Sequence, residues 1–378
     1  MPNESRHYFD WASTAIPEYP QPEPLSCFGN PSSLHSEGRL AKKALESARN
    51  RCASVLNVPP ETLYFTSGGT ESNCIVLFSY IARQGGGRIA ASAGEHSSIT
   101  ENLRILDRLG RQTCVIPIDP LGRVTDSVLS ETLTKYGNVR FASIMAVNNE
   151  TGTVNDIAGL GKITATKDPP VHFHCDMVQA AGKIPIDIVG WGIDSASFSA
   201  HKIGGPRGIG LLYLRKPIEA LYSGGGQERN IRPGTENVSG ALALAHCLET
   251  RVLPEITFAE YGKAKVRCER LISSLKQIDR CRLIPAERVG DGFSPYIVQA
   301  AFKGIPGEVM VRALDDLGFA VSTGSACSSA KQERPVLAAM GIDEKSAFEG
   351  IRVSQGWSTT EEEIDLLLGA IREVLKSL

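Results

Sequence analysis

An α/β fold is predicted: a mostly parallel sheet covered on both faces by helices, followed by a smaller α+β unit. Three observations carry that prediction. Between Leu63 and Cys175, short apolar runs alternate with segments of helical spacing, the pattern that repeated βα units produce. The runs are apolar throughout, as strands buried on both faces are. At 378 residues the chain exceeds what one hydrophobic core supports, so a second domain is expected.

Residues 1–33 are irregular, and Pro17, Pro20, Pro22 and Pro24 forbid a helix there. Ser33 is placed to cap the next segment, where Leu40, Ala41, Ala44, Leu45, Ala48, Cys52, Val55 and Leu56 recur at helical spacing. Strands are expected at 63–66, 88–91, 113–116, 140–147 and 171–175. Helices fall between them at 71–83, 97–109, within 121–136 and at 156–166. A buried strand, Ala196–Ala200, then runs into a glycine-rich turn, and a second apolar strand, Ile209–Leu214, leaves it. Beyond residue 215 the alternation loosens. A polar, glycine-rich loop at 223–235 has the character of a functional loop. It precedes a long helical region at 237–278, strands near 296–302 and 351–354, and helices near 307–317 and 359–375. We therefore expect a large domain over 15–255 and a small C-terminal one over 256–378, with residues 1–14 packing near the small domain or the active site.

Composition narrows the function classes. Apolar content of 42%, charged content of 22% and a net charge of -2 are those of an ordinary globular protein. They give no single-sign field for nucleic acid or an acidic membrane. No run is long enough to span a bilayer, and the N-terminus lacks the apolar core of a signal peptide. A cytoplasmic protein is expected. The nine cysteines are scattered and odd in number, with no Cys-x-x-Cys pair, which argues against a disulfide framework.

The stretch Ser195–Gly208 delivers Ser199, His201 and Lys202 to the end of a strand with glycines alongside. A lysine in that position suits covalent work on an aldehyde cofactor. Thr66-Ser-Gly-Gly-Thr-Glu-Ser72 joins a strand to a helix, so Gly69 and Thr70 offer backbone N–H groups to a phosphate. The turn is neither a dinucleotide fingerprint nor a Walker A loop. Asp176 ends another strand, where a carboxylate suits a protonated pyridine nitrogen, as in pyridoxal phosphate. His172 and His174 on the same strand suit a metal, but no third ligand cluster accompanies them, so no metal is expected. His96 opens a helix and suits stacking on a flat ring. Asn149 follows the most apolar strand, and Arg352 lies in a short strand of the second unit where it suits a carboxylate. Cys327 sits in Ser322-Thr-Gly-Ser-Ala-Cys-Ser-Ser-Ala330, among small residues rather than in an apolar run. It is the best nucleophile candidate among the cysteines.

With these residues in place, the chain resembles the cysteine desulfurases, of the class V aminotransferase-like, fold-type I pyridoxal-phosphate enzymes. The resemblance runs from Tyr8-Phe-Asp10 to about Leu375. It rests on Phe28-Gly-Asn-Pro-Ser-Ser33, Phe65–Ser72, Glu95-His96, Val147-Asn-Asn-Glu150, His174-Cys-Asp176 with Gln179, Ser197–Lys202, Arg232-Pro-Gly-Thr235, Gly324-Ser-Ala-Cys327 and Ile351-Arg352, all in the family's order. It implies a large domain with a mostly parallel seven-stranded sheet and a homodimer with pyridoxal 5′-phosphate at the subunit interface. Lys202 is then the covalent cofactor lysine, Asp176 pairs with the pyridinium nitrogen, Gln179 bonds the phenolic oxygen and His96 stacks on the ring. Gly69, Thr70, Ser199 and His201 hold the phosphate, and Thr235 reaches the phosphate of a neighbouring subunit. Asn149 and Arg352 bind the carboxylate of L-cysteine, and Cys327 accepts the sulfur as a persulfide. A sulfur-acceptor protein, scaffold or relay, would draw on it for iron–sulfur cluster assembly or tRNA thiolation. The alternatives are a selenocysteine lyase or other β-eliminating relative, and a non-catalytic sulfur-trafficking partner. The sequence departs from the family pattern in the short, proline-rich stretch between Asp10 and Phe28, in the tract after Cys327, in the short C-terminus and at Trp357, for which the sequence offers no role.

Overall fold

A computed structural model of the chain describes residues 6–19, 28–82, 86–288, 290–324 and 334–378. Strand β1 (His7–Tyr8) stands apart from the main sheet. Helix α1 (Ser36–Leu56) buries Ala41, Leu45, Ala48 and Cys52, as their spacing requires. It starts later than expected. His35, not Ser33, caps it, because the imidazole Nδ1 reaches Gly38 N while Ser33 N is spent in a turn on Asn30 O.

Strands β2 (Leu63–Thr66), β3 (Arg88–Ser92), β4 (Thr113–Ile116), β5 (Val139–Ser143), β6 (His172–Asp176), β7 (Ser195–Ser199) and β8 (Gly210–Leu214) form a seven-stranded sheet in the order β2-β8-β7-β6-β5-β3-β4. Strands β3 to β7 pair in parallel, and β8 is antiparallel to both its neighbours. The exception has a local cause. Only residues 200–209 join β7 to β8, too few for the crossover a parallel pair needs.

Helices α2 (Gly69–Ala82) and α3 (Ser97–Arg108) cover one face, where Val76, Tyr80, Ile99 and Leu106 meet Tyr64, Ile89, Ala91 and Leu212. On the other face α1, α4 (Asp126–Tyr136), α5 (Ile157–Ala165) and α6 (Val238–Arg251) meet Leu63, Phe65, Ala90 and Leu211. Adjacent residues of one strand thus serve opposite cores, which is why the strands read as unbroken apolar runs. Ladder pairing of β5 stops at Ser143, short of the expected Val147. Ile144 and Ala146 nevertheless continue to donate to His174 O and Asp176 O, each at 3.1 Å.

The long helical region divides at Pro254, which opens α7 (Pro254–Leu275) at a position whose missing N–H costs nothing. After it come β9 (Cys281–Ile284), β10 (Ile297–Phe302), α8 (Gly307–Asp316), β11 (Phe319–Ala320), α9 (Pro335–Ala339), α10 (Glu344–Phe348), β12 (Gly350–Ser354) and α11 (Glu361–Ser377). Strands β12-β10-β9 form an antiparallel sheet with its own core. The N-terminal segment joins this second unit: β1 pairs with β11, and Phe9 is fully buried in the second core. Burying a side chain of that size contributes about 1.5–3 kcal/mol. The turn after Phe9 is clamped by Trp357, whose ring meets Trp11 edge-on at 5.7 Å while Arg251 of α6 lies 4.7 Å from it. Trp357 thereby ties the N-terminal turn to both units. No helix among the described residues is long and apolar enough to cross a membrane.

Candidate active site

Lys202 closes a short 3-10 turn after β7. Its Nζ donates to Ala12 O at 2.6 Å and Ser13 O at 2.7 Å. Next to it, His201 Nδ1 lies 3.2 Å from Thr14 Oγ1, and Ala15 N donates to His201 O at 2.8 Å. The N-terminal turn therefore lies over the lysine turn, a contact between residues almost 190 apart in sequence.

Beside this contact a cavity of ≈ 480 Å³ opens, with Ser67–Thr70 on one side and Ser199, His201 and Arg207 on another. Helix α2 begins at Gly69, so its first N–H groups lie at the cavity wall. Glycine is needed where this turn meets β8: a Cβ on Gly210 would stand 2.5 Å from Gly68 Cα. Gly69, Thr70, Ser199 and His201, the four residues assigned to the phosphate, all line the cavity. Burial, then Lys202 and Arg207, push the His201 imidazole down to about 4, so it is neutral near pH 7. The positive charge at the wall comes from Arg207, which sequence reasoning missed; a cation inside the Gly204–Gly208 turn was the available signal.

Asp176 ends β6. Its Oδ2 accepts from Asn73 Nδ2 and its Oδ1 from Val178 N, both at 2.9 Å. Asn73 Oδ1 faces His174 Nε2 at 3.0 Å, and His174 Nδ1 faces Ser195 Oγ at 2.8 Å. Burial, then His172, hold His174 down at about 3. The neutral ring donates from Nε2 to the Asn73 oxygen and accepts the Ser195 hydroxyl at Nδ1, which fixes the Asn73 amide with its nitrogen toward Asp176. His172 Nε2 also meets Ser195 Oγ, at 2.7 Å, so both histidines of this strand bear on one hydroxyl. His96 caps α3, its Nδ1 accepting from Ser98 N at 3.1 Å. Burial lowers its pKa; Asp176 opposes that shift and Lys202 adds to it. The ring thus lies within the fields of both. Glu95, buried beside it, accepts from Met145 N at 2.7 Å and from the hydroxyls of Ser92 and Ser143, tying the ends of β3 and β5 together. Burial, then Asp176, push its carboxyl up to about 7.

Three further candidate residues meet one another or the N-terminal turn. Gln179 directs its Nε2 to Ala12 O at 2.8 Å, while its Oε1 accepts from Lys183 Nζ at 2.5 Å. Asn149 meets Arg352 through its backbone oxygen, 2.8 Å from Nη1. Arg352 is already engaged, because Nη2 donates to Asp10 Oδ1 at 2.8 Å and Ser13 Oγ at 2.7 Å; its buried Nε has no partner among the described residues. The turn brings Asp10 and Ser13 to the site; sequence reasoning singled out neither, nor buried Lys183. Thr235 is exposed and lies outside the cavity wall. Cys327 lies outside the described residues. Among the described cysteines, Cys52, Cys114, Cys175, Cys247 and Cys281 are all pushed up by burial, which suits inert packing rather than nucleophilic work.

Known proteins resemble this chain in sequence and in fold. The family model described as aminotransferase class-V matches residues 19–367. A NifS/IcsS protein homolog of Lactobacillus delbrueckii subsp. bulgaricus is 37% identical over 97% of this chain and 96% of its own length. A cysteine desulfurase IscS of Dictyoglomus turgidum is 34% identical over 98% of this chain and 95% of its own. The solved structure of a NifS-like protein superposes with a TM-score of 0.89 at 32% identity, covering 99% of this chain and 100% of that one.

Proposed function

The chain belongs to the class V aminotransferase family and, within it, to the cysteine desulfurases, and from that membership we propose that it holds pyridoxal 5′-phosphate at Lys202 and moves the sulfur of L-cysteine to Cys327, releasing L-alanine. The observation that supports this most directly is the end of β7, where Ser199 and His201 line the cavity at the start of α2, the next residue Lys202 is held by Ala12 O and Ser13 O, and Asp176 ends the paired strand β6. The residues fit the cofactor. Gly69, Thr70, Ser199 and His201, with the charge of Arg207, would hold its phosphate. Asp176, oriented by Asn73 and Val178, would pair with the pyridine nitrogen, and His96 would cover the ring. Bound there, the cofactor supplies an electron sink for the substrate carbanion.

The protein's own groups do the rest. Lys202 Nζ carries the proton taken from the substrate α-carbon. Arg352, steadied by Asp10 and Asn149 O, fixes the substrate carboxylate. The thiolate of Cys327 attacks the substrate sulfur: an S–S bond forms, the C–S bond breaks, and the carbon keeps the bonding pair and is protonated to give alanine. Thr235, exposed on its loop, would serve the phosphate of a second subunit in a homodimer. The persulfide sulfur would then pass to an acceptor protein.

Alanine and sulfide production from L-cysteine, with a thiol present to release the persulfide, tests the assignment. Cys327→Ala is expected to keep the visible absorbance of bound cofactor and to lose sulfide release by two orders of magnitude or more, a typical scale for removing a covalent participant. Undiminished sulfide release by Cys327→Ala would sink the persulfide route.

A further inference from the structure

We infer that Lys183 is a positioning residue that fixes the amide of Gln179, and through it the N–H that faces Lys202 and the cofactor ring. The inference rests on the cofactor reading above and deepens it. Lys183 is 3% exposed, in the turn that follows Gln179. A lysine so buried is rare unless it is paired. Its Nζ donates to Gln179 Oε1 at 2.5 Å. On the other side of the same amide, Gln179 Nε2 donates to Ala12 O at 2.8 Å, and Lys202 Nζ donates to that same oxygen at 2.6 Å. Lys183, the Gln179 amide, Ala12 O and Lys202 therefore form one continuous chain, buried up to Ala12 and half-buried at Lys202.

The chain has a direction. A primary amide presents oxygen and nitrogen almost interchangeably in shape, so its neighbours decide which end goes where. A cation admits only the oxygen. Lys183 thereby turns the nitrogen toward Ala12 and Lys202, where its second N–H is available to a ring oxygen. A flipped amide would set its N–H groups against the Lys183 ammonium as well as its oxygen against Ala12 O, so Lys183 adds a second, charged lock to the orientation that Ala12 O favours. The charged groups that bear on Lys183 are Lys202 and Arg352, both of like sign; Lys183 in turn bears on His201. Burial, then these two cations, bring its pKa down to about 7. That environment is costly for a residue serving only to fill space, since an apolar side chain would serve better.

The test is a pH titration of the bound cofactor's visible absorbance together with kcat/KM for L-cysteine, on the full chain. Lys183→Met is expected to raise the pH midpoint of the band by about half a unit or more and to lower kcat/KM about tenfold, the scale of one charge-assisted hydrogen bond. Gln179→Ala should do the same. The double variant should go no further than Gln179→Ala alone, because both act through one contact. Lys183→Arg, which keeps charge and donor, should restore the wild-type midpoint. An unmoved midpoint in Lys183→Met, or effects that add in the double variant, would overturn the inference. Should Lys183→Met not fold, Gln179→Glu serves: it keeps Lys183 paired but removes the N–H, so a wild-type midpoint there also overturns it. A wild-type protein with no visible band would instead refute the cofactor reading itself.

Discussion

The guanidinium of Arg352 spends Nη1 on Asn149 O and Nη2 on Asp10 and Ser13, and keeps a buried Nε without a partner among the described residues. Asp10 holds the fork in one orientation before substrate arrives, which reduces the ordering left to the binding step. A lysine there keeps the charge but loses the planar fork. Arg352→Lys is therefore expected to raise KM for L-cysteine about 10- to 100-fold with a smaller loss in kcat, consistent with about 1.5–3 kcal/mol for one hydrogen bond to a charged group. Steady-state kinetics checks it, and an unchanged KM would remove Arg352 from carboxylate binding. That Arg352 suits a carboxylate was legible from its strand. That Asp10 already engages it was not, because the two lie 342 residues apart and meet where Asp10 bridges to Ser354 of β12, the strand that holds Arg352. Lys183 was illegible for a different reason: a lone lysine beside a glycine reads as surface, and its burial is a product of the whole packing.

Among the elements, the loop at 223–235 owes its shape to one buried ion pair. Glu228 accepts from Arg49 Nη1 at 2.8 Å and Nη2 at 2.7 Å, and from Phe65 N at 2.7 Å. Both side chains are almost fully buried. Burial works against the Arg49 charge, but the bonds to Glu228 outweigh it and hold the guanidinium more firmly charged than usual. Glu228 adopts a positive φ of 44°, and Arg229 and Asn230 follow it at 52° and 64°; the strain of such non-glycine positions is offset by this anchor. Removing one partner of a buried pair strands the other, at about 3–5 kcal/mol. Glu228→Gln should accordingly unfold at clearly lower temperature in a calorimetric scan, whereas loss of an exposed pair such as Arg104–Glu101 should scarcely register. The seven strands of the main sheet were readable from their apolar runs; the antiparallel return of β8 was not read, although the shortness of its turn requires it. The small elements β1, β9, β11, α9 and α10 were not, since each is too short to show a period and is held by tertiary neighbours.

For the molecule as a whole, the response to acid follows from groups that folding forbids to change charge. His174 and His201 are held near 3 and 4, well below the ordinary 6.5. Between those values the unfolded chain binds protons that the folded chain refuses. Their contribution to stability is thus complete above about pH 6.5 and is lost as pH falls through the window. Glu95 acts in the opposite sense: its carboxyl is raised from 4.5 to about 7, so between those values the folded state binds the extra proton and acid favours it. From pH 6.5 to 4.5 these histidines, joined by His96 shifted in the same direction, oppose the raised carboxyls of Glu95 and Glu150, and stability should decline gently. Below 4.5 these carboxyls are protonated in both states and no longer compensate, so the decline should steepen. Urea denaturation midpoints measured from pH 7 to 4 would show this break. His174→Gln is expected to be less stable at pH 7, since the Ser195–Asn73–Asp176 chain is disturbed, yet its unfolding free energy should fall less from pH 6.5 to 4, by up to about 1.4 kcal/mol for each pH unit that one proton no longer contributes. A variant with the same acid slope as the wild type would mean that His174 already takes up its proton in the folded protein, and the neutral ring that fixes the Asn73 amide toward Asp176 would have to be abandoned.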